Sequence, residues 1–238
     1  MQANTQSKII SKVLAPALQL WLRSQLDRVE ELDIQITGGD RQILGGYIPG
    51  VSLASRRAIY QGLHLGQVQL TGENLRINLT QVLKGKPLRL LEPVSVTGQV
   101  LLEEGDLIAS ISSSLLSNAF TDLLLILLQA NGIFNAISIL EDYQVGWQAV
   151  RLQTDKFTLT GTLTHRGGQT TPVMIRSGLG LVNSQTLHLH PLHIEALPEL
   201  LNISLQELTV DLGSDVEIEK LSLEAGKLSC QGRLRVLP

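Results

Sequence analysis

The feature that most constrains the fold is a two-residue alternation of aliphatic and polar side chains, which recurs along most of the chain. It begins with Leu32, Ile34 and Ile36, which alternate with polar residues. Successive side chains of a strand point to opposite faces, so this pattern predicts antiparallel strands with one apolar and one wet face. The same alternation returns at 59–70, 75–79, 94–102, 157–164, 173–175, 187–189, 208–212 and 228–236.

The residues before this alternation, 1–30, predict an amphipathic helix. Pro16 must kink this helix or start its second half, because proline removes one backbone donor. The apolar residues at helical spacing are Ile10, Val13, Leu14, Ala17, Leu18, Trp21 and Leu22. The opposite side carries Lys8, Lys12, Gln19 and Arg23, which form either a solvated surface or a membrane contact.

An interruption of the alternation covers residues 105–140, where "LLSNAFTDLLLILLQ" is apolar on almost every side. A helix of that kind is either buried in protein or in contact with lipid. Its longest unbroken apolar run, Leu123 to Leu128, has six residues, whereas a membrane span needs about 18. We therefore expect no spanning helix.

Together these patterns predict an α+β fold in which a strongly curved antiparallel β-sheet wraps around the N-terminal amphipathic helix and the central apolar helix, like a cup. We expect a single domain over residues 1–238. Its parts are an N-terminal helix at 1–30, a first sheet segment at 31–104, an apolar helical segment at 105–140 and a second sheet segment at 143–238.

A weak internal repeat links two of the predicted strand pairs. "RLQTDKFTLTGTLT" (residues 151–164) and "SLEAGKLSCQGRLR" (residues 222–235) share leucine, lysine, glycine and leucine at matching offsets. Gly98, Gly161 and Gly232 all fall on the apolar face of a strand. A missing side chain there lets the sheet curl sharply or lets another backbone come close. These glycines also suggest that the apolar face does not fill itself.

Charge and cysteine content limit the partners and the location. Residues 1–100 contain 11 Lys and Arg against 7 Asp and Glu, and residues 101–238 contain 8 against 15, so the N-terminal part is the one that would meet anions. Few basic residues and 3% aromatic residues disfavour nucleic acid. The single cysteine, Cys230, fits a reducing compartment. Since the first residues are polar and show no secretory signal, we expect a cytoplasmic protein or one on the cytoplasmic face of a membrane.

No sequence motif for catalysis or for a cofactor stands out. The chain has no GxxxxGK, HExxH, GxSxG or paired CxxC pattern. In "HLHPLH", His188 and His190 share one strand face and His193 follows, but no nearby Cys, Asp or Glu completes a metal site. We therefore expect a protein that is not an enzyme and has no cofactor and no metal.

The glycine-rich segment "GGDRQILGGYIPGVSLASRR" (residues 38–57) predicts a loop of tight turns. Its large apolar residues would lie at the rim of the cup. Arg41, Arg56 and Arg57 would then face a phosphate or an anionic membrane surface. The alternative is a folded-over loop whose arginines are only solvated.

With its flanks, this segment resembles the LmeA-like phospholipid-binding family of bacteria. The resemblance is carried by "ILGGYIPGVSL", then "AIYQGLHL" before "LRIN", then "VTGQVLLEEGDLIASISSSLLSNAFTDLLLILL". It implies a fold akin to tubular lipid-binding proteins, in which a sheet around a long helix makes an apolar cup, and an association with the cell envelope.

From the residues and the resemblance we expect non-enzymatic binding of a phospholipid or similar amphiphile at a membrane surface, as a carrier or a sensor of membrane state. The alternative is a peripheral scaffold or assembly factor that binds other proteins and fills its cup with its own side chains. For the helix around residues 115–128, core packing and lining of a lipid pocket both remain open. The expected lipid contacts are Leu14, Leu18, Trp21, Ile43, Leu44, Tyr47, Ile48, Phe120, Leu123, Leu124, Leu127 and Leu128.

Overall fold

The computed structural model describes residues 14–195, 203–205 and 207–238, the short middle stretch by its backbone only. The helices are α1 (Ala15–Gln25), α2 (Asp40–Leu44), α3 (Leu79–Val82), α4 (Glu104–Ser110), α5 (Ser114–Ala130) and α6 (Ala136–Glu141). The first strands are β1 (Arg28–Thr37), β2 (Tyr47–Tyr60), β3 (Leu63–Arg76), β4 (Val94–Glu103), β5 (Tyr143–Gln153), β6 (Lys156–His165) and β7 (Thr170–Gly178). The later strands are β8 (Gly180–Asn183), β9 (Thr186–Leu189), β10 (Leu192–Glu195), β11 (Ile203–Leu205), β12 (Leu208–Asp211), β13 (Val216–Glu224) and β14 (Lys227–Val236).

These strands form three antiparallel sheets, which confirms the α+β class and the antiparallel pairing. The six-stranded sheet has the order β1-β2-β3-β4-β14-β13, the five-stranded sheet β11-β10-β7-β6-β5, and the three-stranded sheet β12-β9-β8. The last hairpin therefore pairs with β4 and completes the sheet that the N-terminal strands begin. The expected second sheet segment at 143–238 is thus shared between all three sheets.

The strong curvature that the sequence predicted is not observed, since the sheets are neither strongly curled nor closed. Nor does one sheet wrap both helices. The helix α1 packs with the six-stranded sheet, and α5 packs with the five-stranded sheet. Alternation predicts which face of a strand is apolar, but it carries no information about which strands pair or how far a sheet bends.

The N-terminal helix is shorter at its end than predicted, because β1 already begins at Arg28. Within the described residues α1 starts at Ala15, and Pro16 lies in its first turn, where proline is tolerated. The predicted helical positions Lys8, Ile10, Lys12 and Val13 lie outside the described residues.

The glycine-rich segment is not a loop, contrary to the prediction. It contains α2 and the first eleven residues of β2, joined by a turn at Gly45 and Gly46. Gly50 lies inside β2, where a Cβ would come 2.6 Å from the Thr37 hydroxyl oxygen. Glycine here leaves room for the Thr37 hydroxyl of the neighbouring strand, a use that composition alone does not distinguish from a turn.

The two repeat segments are two hairpins with the same construction. β5–β6 and β13–β14 each turn through two residues, and the second turn residue, Asp155 or Gly226, has a positive φ. Gly161 and Gly232 are each the sixth residue of their strand and lie opposite a bulge. A Cβ at Gly161 would lie 2.7 Å from the Gly146 carbonyl oxygen. Close backbone approach, one of the two predicted uses of these glycines, is confirmed.

The two hairpins meet turn to turn and exchange backbone hydrogen bonds. The Asp155 N–H donates to the Leu223 carbonyl at 3.1 Å, and the Gly226 N–H donates to the Leu152 carbonyl at 3.0 Å. Leu152 and Leu223 occupy equivalent repeat positions, as do Asp155 and Gly226. The exchange is therefore reciprocal, and it joins the five-stranded sheet to the six-stranded sheet.

The described residues bury two separate apolar clusters. The α5 cluster lies between α5 and the five-stranded sheet. The α1 cluster lies between α1, α2, α3 and the six-stranded sheet. The buried core of the α5 cluster includes Leu124, Leu127, Leu128, Trp147, Leu159, Leu163, Val173, Ile175, Leu192 and Ile194. The α1 cluster is built on Leu14, Leu18, Ile36, Ile43, Ile48, Ile77, Leu79 and Leu88.

Candidate functional site

An apolar groove of about 220 Å³ lies between α1 and the inner face of the six-stranded sheet. Its lining contains aliphatic side chains, one tryptophan and one glycine, and no charged residue. The helix contributes Leu18, Trp21 and Leu22. The sheet and the segment between β3 and β4 contribute Ile48, Val51, Leu53, Leu70, Gly72, Leu75, Ile77, Leu88, Leu90, Val94, Val96 and Val236.

The position of Gly72 in the register of the sheet accounts for part of this space. Leu53, Leu70, Gly98 and Gly232 form one row across four strands. The neighbouring row is Val51, Gly72, Val96 and Leu234. Side chains in one row share a face of the sheet. The Leu70 side chain fills the place beside Gly98 and the β13 backbone fills the place beside Gly232, whereas Gly72 lines the groove. A Cβ at Gly72 would make only ordinary contacts, 3.5 Å from Leu75 and 3.7 Å from Val94 and Val96.

Five of the predicted lipid contacts belong to this region. Leu18, Trp21 and Ile48 line the groove, while Leu14 and Ile43 are fully buried in the α1 cluster. Ile43 and Ile48 are therefore core residues rather than rim residues of a loop. Both side chains belong to the buried α1 cluster beside the groove. Lipid contact at these positions stays a prediction.

Leu44 and Tyr47 have other surroundings. Leu44 is 56% exposed at the end of α2. The Tyr47 hydroxyl donates to the Asn74 side chain, and the Arg76 guanidinium lies 5.1 Å from the centre of the tyrosine ring. Tyr47 thus connects the beginning of β2 to the end of β3.

The five predicted contacts on α5 do not line the groove. Leu124, Leu127 and Leu128 are at most 1% exposed against the five-stranded sheet. Phe120 meets Trp147 edge to face with ring centres 5.9 Å apart, and Leu123 packs beside them. This favours core packing, one of the two readings that the sequence left open, and a lipid role for these residues stays a prediction.

The three predicted headgroup arginines are not brought together. Arg41 is exposed on α2, just before β2 begins, whereas Arg56 and Arg57 lie nine and ten residues into β2. Nine strand residues span about 30 Å. Arg56 is 3.7 Å from Glu31 and Arg57 is 3.2 Å from Glu30. One phosphate therefore cannot contact all three at once, and a role for each at an anionic surface stays a prediction.

Most of the groove residues were missing from the sequence prediction. Leu70, Val94 and Val96 were recognised as apolar strand positions, but nothing in the alternation distinguished them from filled core. The usable signal was Gly72 at an apolar position of β3, since a glycine there removes a side chain from the face that lines the groove.

Polar depressions on the described surface differ from the groove. One of them, about 540 Å³, is lined by residues such as Glu92, Asp215, Glu217, Arg233 and Arg235. Arg235 and Ser95 are paired neighbours with the opposite parity to Val94 and Val236, so this depression lies on the outer face of the sheet. Its mixed charges suit water better than hydrocarbon.

The histidine segment and Cys230 show no assembled chemistry. The His188 and His190 rings stack 5.6 Å apart, and His188 Nε2 is 3.2 Å from a Glu207 carboxylate oxygen. Across the described ranges, no three His, Cys, Asp or Glu side chains are grouped to hold a metal ion. Burial raises the pKa of the Cys230 thiol, so the thiol stays protonated at neutral pH.

No single helix in the described part of the chain is both long and apolar enough to cross a bilayer. By length and composition α4 and α5 pass together, but they are bent by 94° relative to each other.

A family comparison agrees with the apolar character of the groove. The profile of the LmeA-like phospholipid-binding family matches residues 5–233 of the 238 residues. The chain belongs to this family. The resemblance stated from the glycine-rich segment and its flanks is thereby confirmed, and membership in the family indicates lipid binding. No curated protein and no solved structure matches the chain significantly.

Proposed function

We propose that this protein binds a phospholipid or similar amphiphile without catalysis, at a membrane surface, with acyl-chain carbons in the groove between α1 and the six-stranded sheet. The observation that carries the proposal is the groove itself, since its lining is entirely apolar. The predicted cup around both helices is replaced in this proposal by a groove between one sheet and α1.

The volume suits a length of hydrocarbon. In another protein, an engineered apolar cavity of about 150 Å³ binds benzene. The groove here measures about 220 Å³. Part of one acyl chain therefore fits. Trp21 and Leu22 are only half-buried, so a shift of α1 away from the sheet would admit a longer part of the chain.

The energetics require only a modest site. Removing one methylene from water is worth about 0.8 kcal/mol, but a chain that leaves a bilayer gains almost nothing because the bilayer is already apolar. A lipid-binding site thus needs a lining about as apolar as the bilayer and few polar contacts. Aliphatic walls meet that requirement.

Native mass spectrometry of the purified full chain tests the proposal. We expect a mass increment equal to one phospholipid. Gly72→Leu directs a new side chain into the groove and should abolish this increment, because the lining atoms around Gly72 leave room for a Cβ.

The matched control is Gly180→Leu. Gly180 lies in β8 of the three-stranded sheet, and a Cβ there meets nothing within 4 Å. It adds the same apolar mass away from the groove and should keep the lipid. A bare polypeptide from the unchanged chain, or equal lipid loss in both folded variants, would overturn the groove as the binding site.

The alternative function is a scaffold or assembly factor that binds proteins. The observation that favours it is the α5 cluster, which its own side chains fill. A scaffold would yield bare polypeptide and a protein partner that stays bound in Gly72→Leu.

A carrier and a sensor differ in lipid transfer, since only a carrier moves labelled lipid from donor to acceptor vesicles.

A further inference from the structure

One end of the six-stranded sheet combines basic residues with exposed leucines. We call this surface the basic tip, and it consists of α2, Arg76 and the segment 83–91. Its exposed basic residues are Arg41, Arg76, Lys84, Lys86 and Arg89. Between Asn74 and Leu91 the chain has four basic residues and no Asp or Glu. Asp40, the first residue of α2, is the acid within the tip, and Glu73 and Glu92 flank it.

Three leucines stand among these charges. Leu44 is 56% exposed, Leu83 is 53% exposed and Leu91 is 58% exposed. Single exposed leucines are common on proteins, but three of them interspersed with cations match the composition that binds anionic lipid interfaces. The basic side chains attract the anionic headgroups, and the leucines contribute apolar contact.

The basic tip is built as a fixed shape. The buried Asn78 side chain donates to the Pro87 carbonyl at 2.9 Å and accepts from the Arg89 N–H at 2.7 Å. The Leu91 N–H donates to the Arg76 carbonyl at 2.8 Å. These bonds hold the segment 84–91 against the end of β3, so its charges are presented together.

The basic tip also adjoins the groove. In the segment 88–91, Leu88 and Leu90 line the groove while Arg89 and Leu91 are exposed. Ile77, which also lines the groove, donates its N–H to the Gly46 carbonyl next to α2. A bilayer that contacts the exposed side chains would therefore lie beside the end of the groove.

Other basic residues on β2 lack this arrangement. Arg56 and Arg57 each lie near a glutamate of β1, and Glu103 and Asp106 border the same depression. Nearby acids cancel much of their field, so these arginines attract an anionic surface less than the basic tip does.

We propose that the basic tip is the membrane-docking surface of this protein and that its partner is an anionic phospholipid bilayer, which it meets with the end of the groove facing the lipid. The inference rests on the membrane-surface part of the proposed function and adds its location and the charge of the lipid.

Vesicle co-sedimentation of the full chain tests the inference. At low salt the protein should pellet with phosphatidylglycerol vesicles, pellet much less with phosphatidylcholine vesicles, and be released by added salt. Each basic residue near an anionic surface contributes about fivefold to partitioning, which corresponds to about 1 kcal/mol. Lys84→Gln with Lys86→Gln should therefore lower partitioning about 30-fold.

The matched control is Arg56→Gln with Arg57→Gln, which removes the same charge at the other end of β2 and should lower partitioning less than threefold, given the nearby glutamates. Leu83→Ser with Leu91→Ser reports the apolar contact and should lower partitioning at high salt as well. A larger loss for the arginine pair than for the lysine pair would overturn the inference in favour of the arginines.

Lipid occupancy separates this inference from the proposed function. Native mass spectrometry of the lysine variant should still show bound lipid, because the groove is unchanged. A chain that carries lipid but does not pellet with anionic vesicles would refute docking through the basic tip and leave the groove proposal standing. A chain that pellets through the lysines but carries no lipid would refute the groove and keep the docking surface.

Discussion

The two apolar clusters use the same kinds of side chain, yet one is filled and the other holds a groove. In the α5 cluster, Leu124 and Leu127 are 0% exposed and pack on Trp147, Leu159 and other large residues. In the α1 cluster, the covering helix leaves Trp21 and Leu22 half-buried over about 220 Å³ of apolar space. Hydrophobicity therefore does not decide whether a face is full.

Glycine placement explains the difference. In the five-stranded sheet, the space beside Gly161 is taken by the bulged backbone of β5 and by the Trp147 ring. In the six-stranded sheet, the bulged backbone of β13 takes the space beside Gly232 in the same way, but Gly72 faces methyl groups at ordinary contact distance and lines the groove. A glycine on an apolar face therefore leaves space only where no backbone or large side chain lies against it.

The largest expected effect is loss of packing in the filled cluster. Leu124→Ala should lower the free energy of unfolding by about 3 kcal/mol, because the removed methyl groups leave a cavity. Urea denaturation measures the change. Leu20→Ala is the control, since Leu20 is 71% exposed on α1, and it should change stability by less than about 0.5 kcal/mol. A similarly small loss at Leu124 would show that the α5 cluster is not tightly filled.

Adding a methyl group at Gly161 tests the same tight packing by overfilling it. Gly161→Ala should cost about 2 kcal/mol, because its Cβ would lie 2.7 Å from the Gly146 carbonyl oxygen and 2.9 Å from the Trp147 ring. Its thermal midpoint should fall, whereas Gly180→Ala, with open space around its Cβ, should leave the midpoint nearly unchanged. Equal behaviour of the two variants would contradict the close approach.

A polar contact inside the α5 cluster should have a smaller effect. The Trp147 Nε1–H donates to the Thr121 hydroxyl at 3.1 Å. Thr121→Val removes that acceptor and should cost about 1.5 kcal/mol in urea denaturation, since a buried donor is left unpaired. Thr121→Ser keeps the hydroxyl and should retain most of the stability. If serine and valine cost the same, packing of the threonine methyl matters more than the hydrogen bond.

The smallest effect is expected in the groove. Gly72→Ala should change the free energy of unfolding by less than about 0.5 kcal/mol, because its Cβ meets no atom closer than 3.5 Å. Bound lipid should be retained, as one methyl group fills little of the groove. A loss above about 1 kcal/mol in the lipid-free protein would mean that the space at Gly72 is already occupied by the chain.

Local patterns predicted much of the fold. Alternation located β1, β3, β4 and several later strands, and the apolar stretch located α4, α5 and α6, because each pattern reports the side of an element that leaves water. The prediction was wrong at three places: most of β2 was predicted as a loop, the alternation at 59–70 runs across the turn between β2 and β3, and the predicted strand at 75–79 ends where α3 begins. Sheet membership was not predictable in this way. The pairing of β14 with β4 joins residues more than a hundred positions apart, and alternation in the intervening strands says nothing about it.

The candidate site was predicted in part for the same reason. Leu18, Trp21 and Ile48 were named from local amphipathicity and from the glycine-rich segment, and the structure places them in the groove lining. Leu88, Leu90 and Val236 were missed, because their place in the lining depends on non-local pairing. The arginines were predicted to act together because all three lie in the glycine-rich segment. The extended strand β2 instead carries Arg56 far from Arg41.

The return of β14 to β4 has a consequence for biosynthesis. The ribosome delivers β1 to β4 first, and 123 residues separate Glu103 at the end of β4 from Lys227 at the start of β14. At about 5–20 residues per second this interval lasts on the order of ten seconds. During that time the edge of β4 has no neighbour, and the wall that Val236 supplies does not exist. The groove lining is therefore complete only after translation has passed the last hairpin.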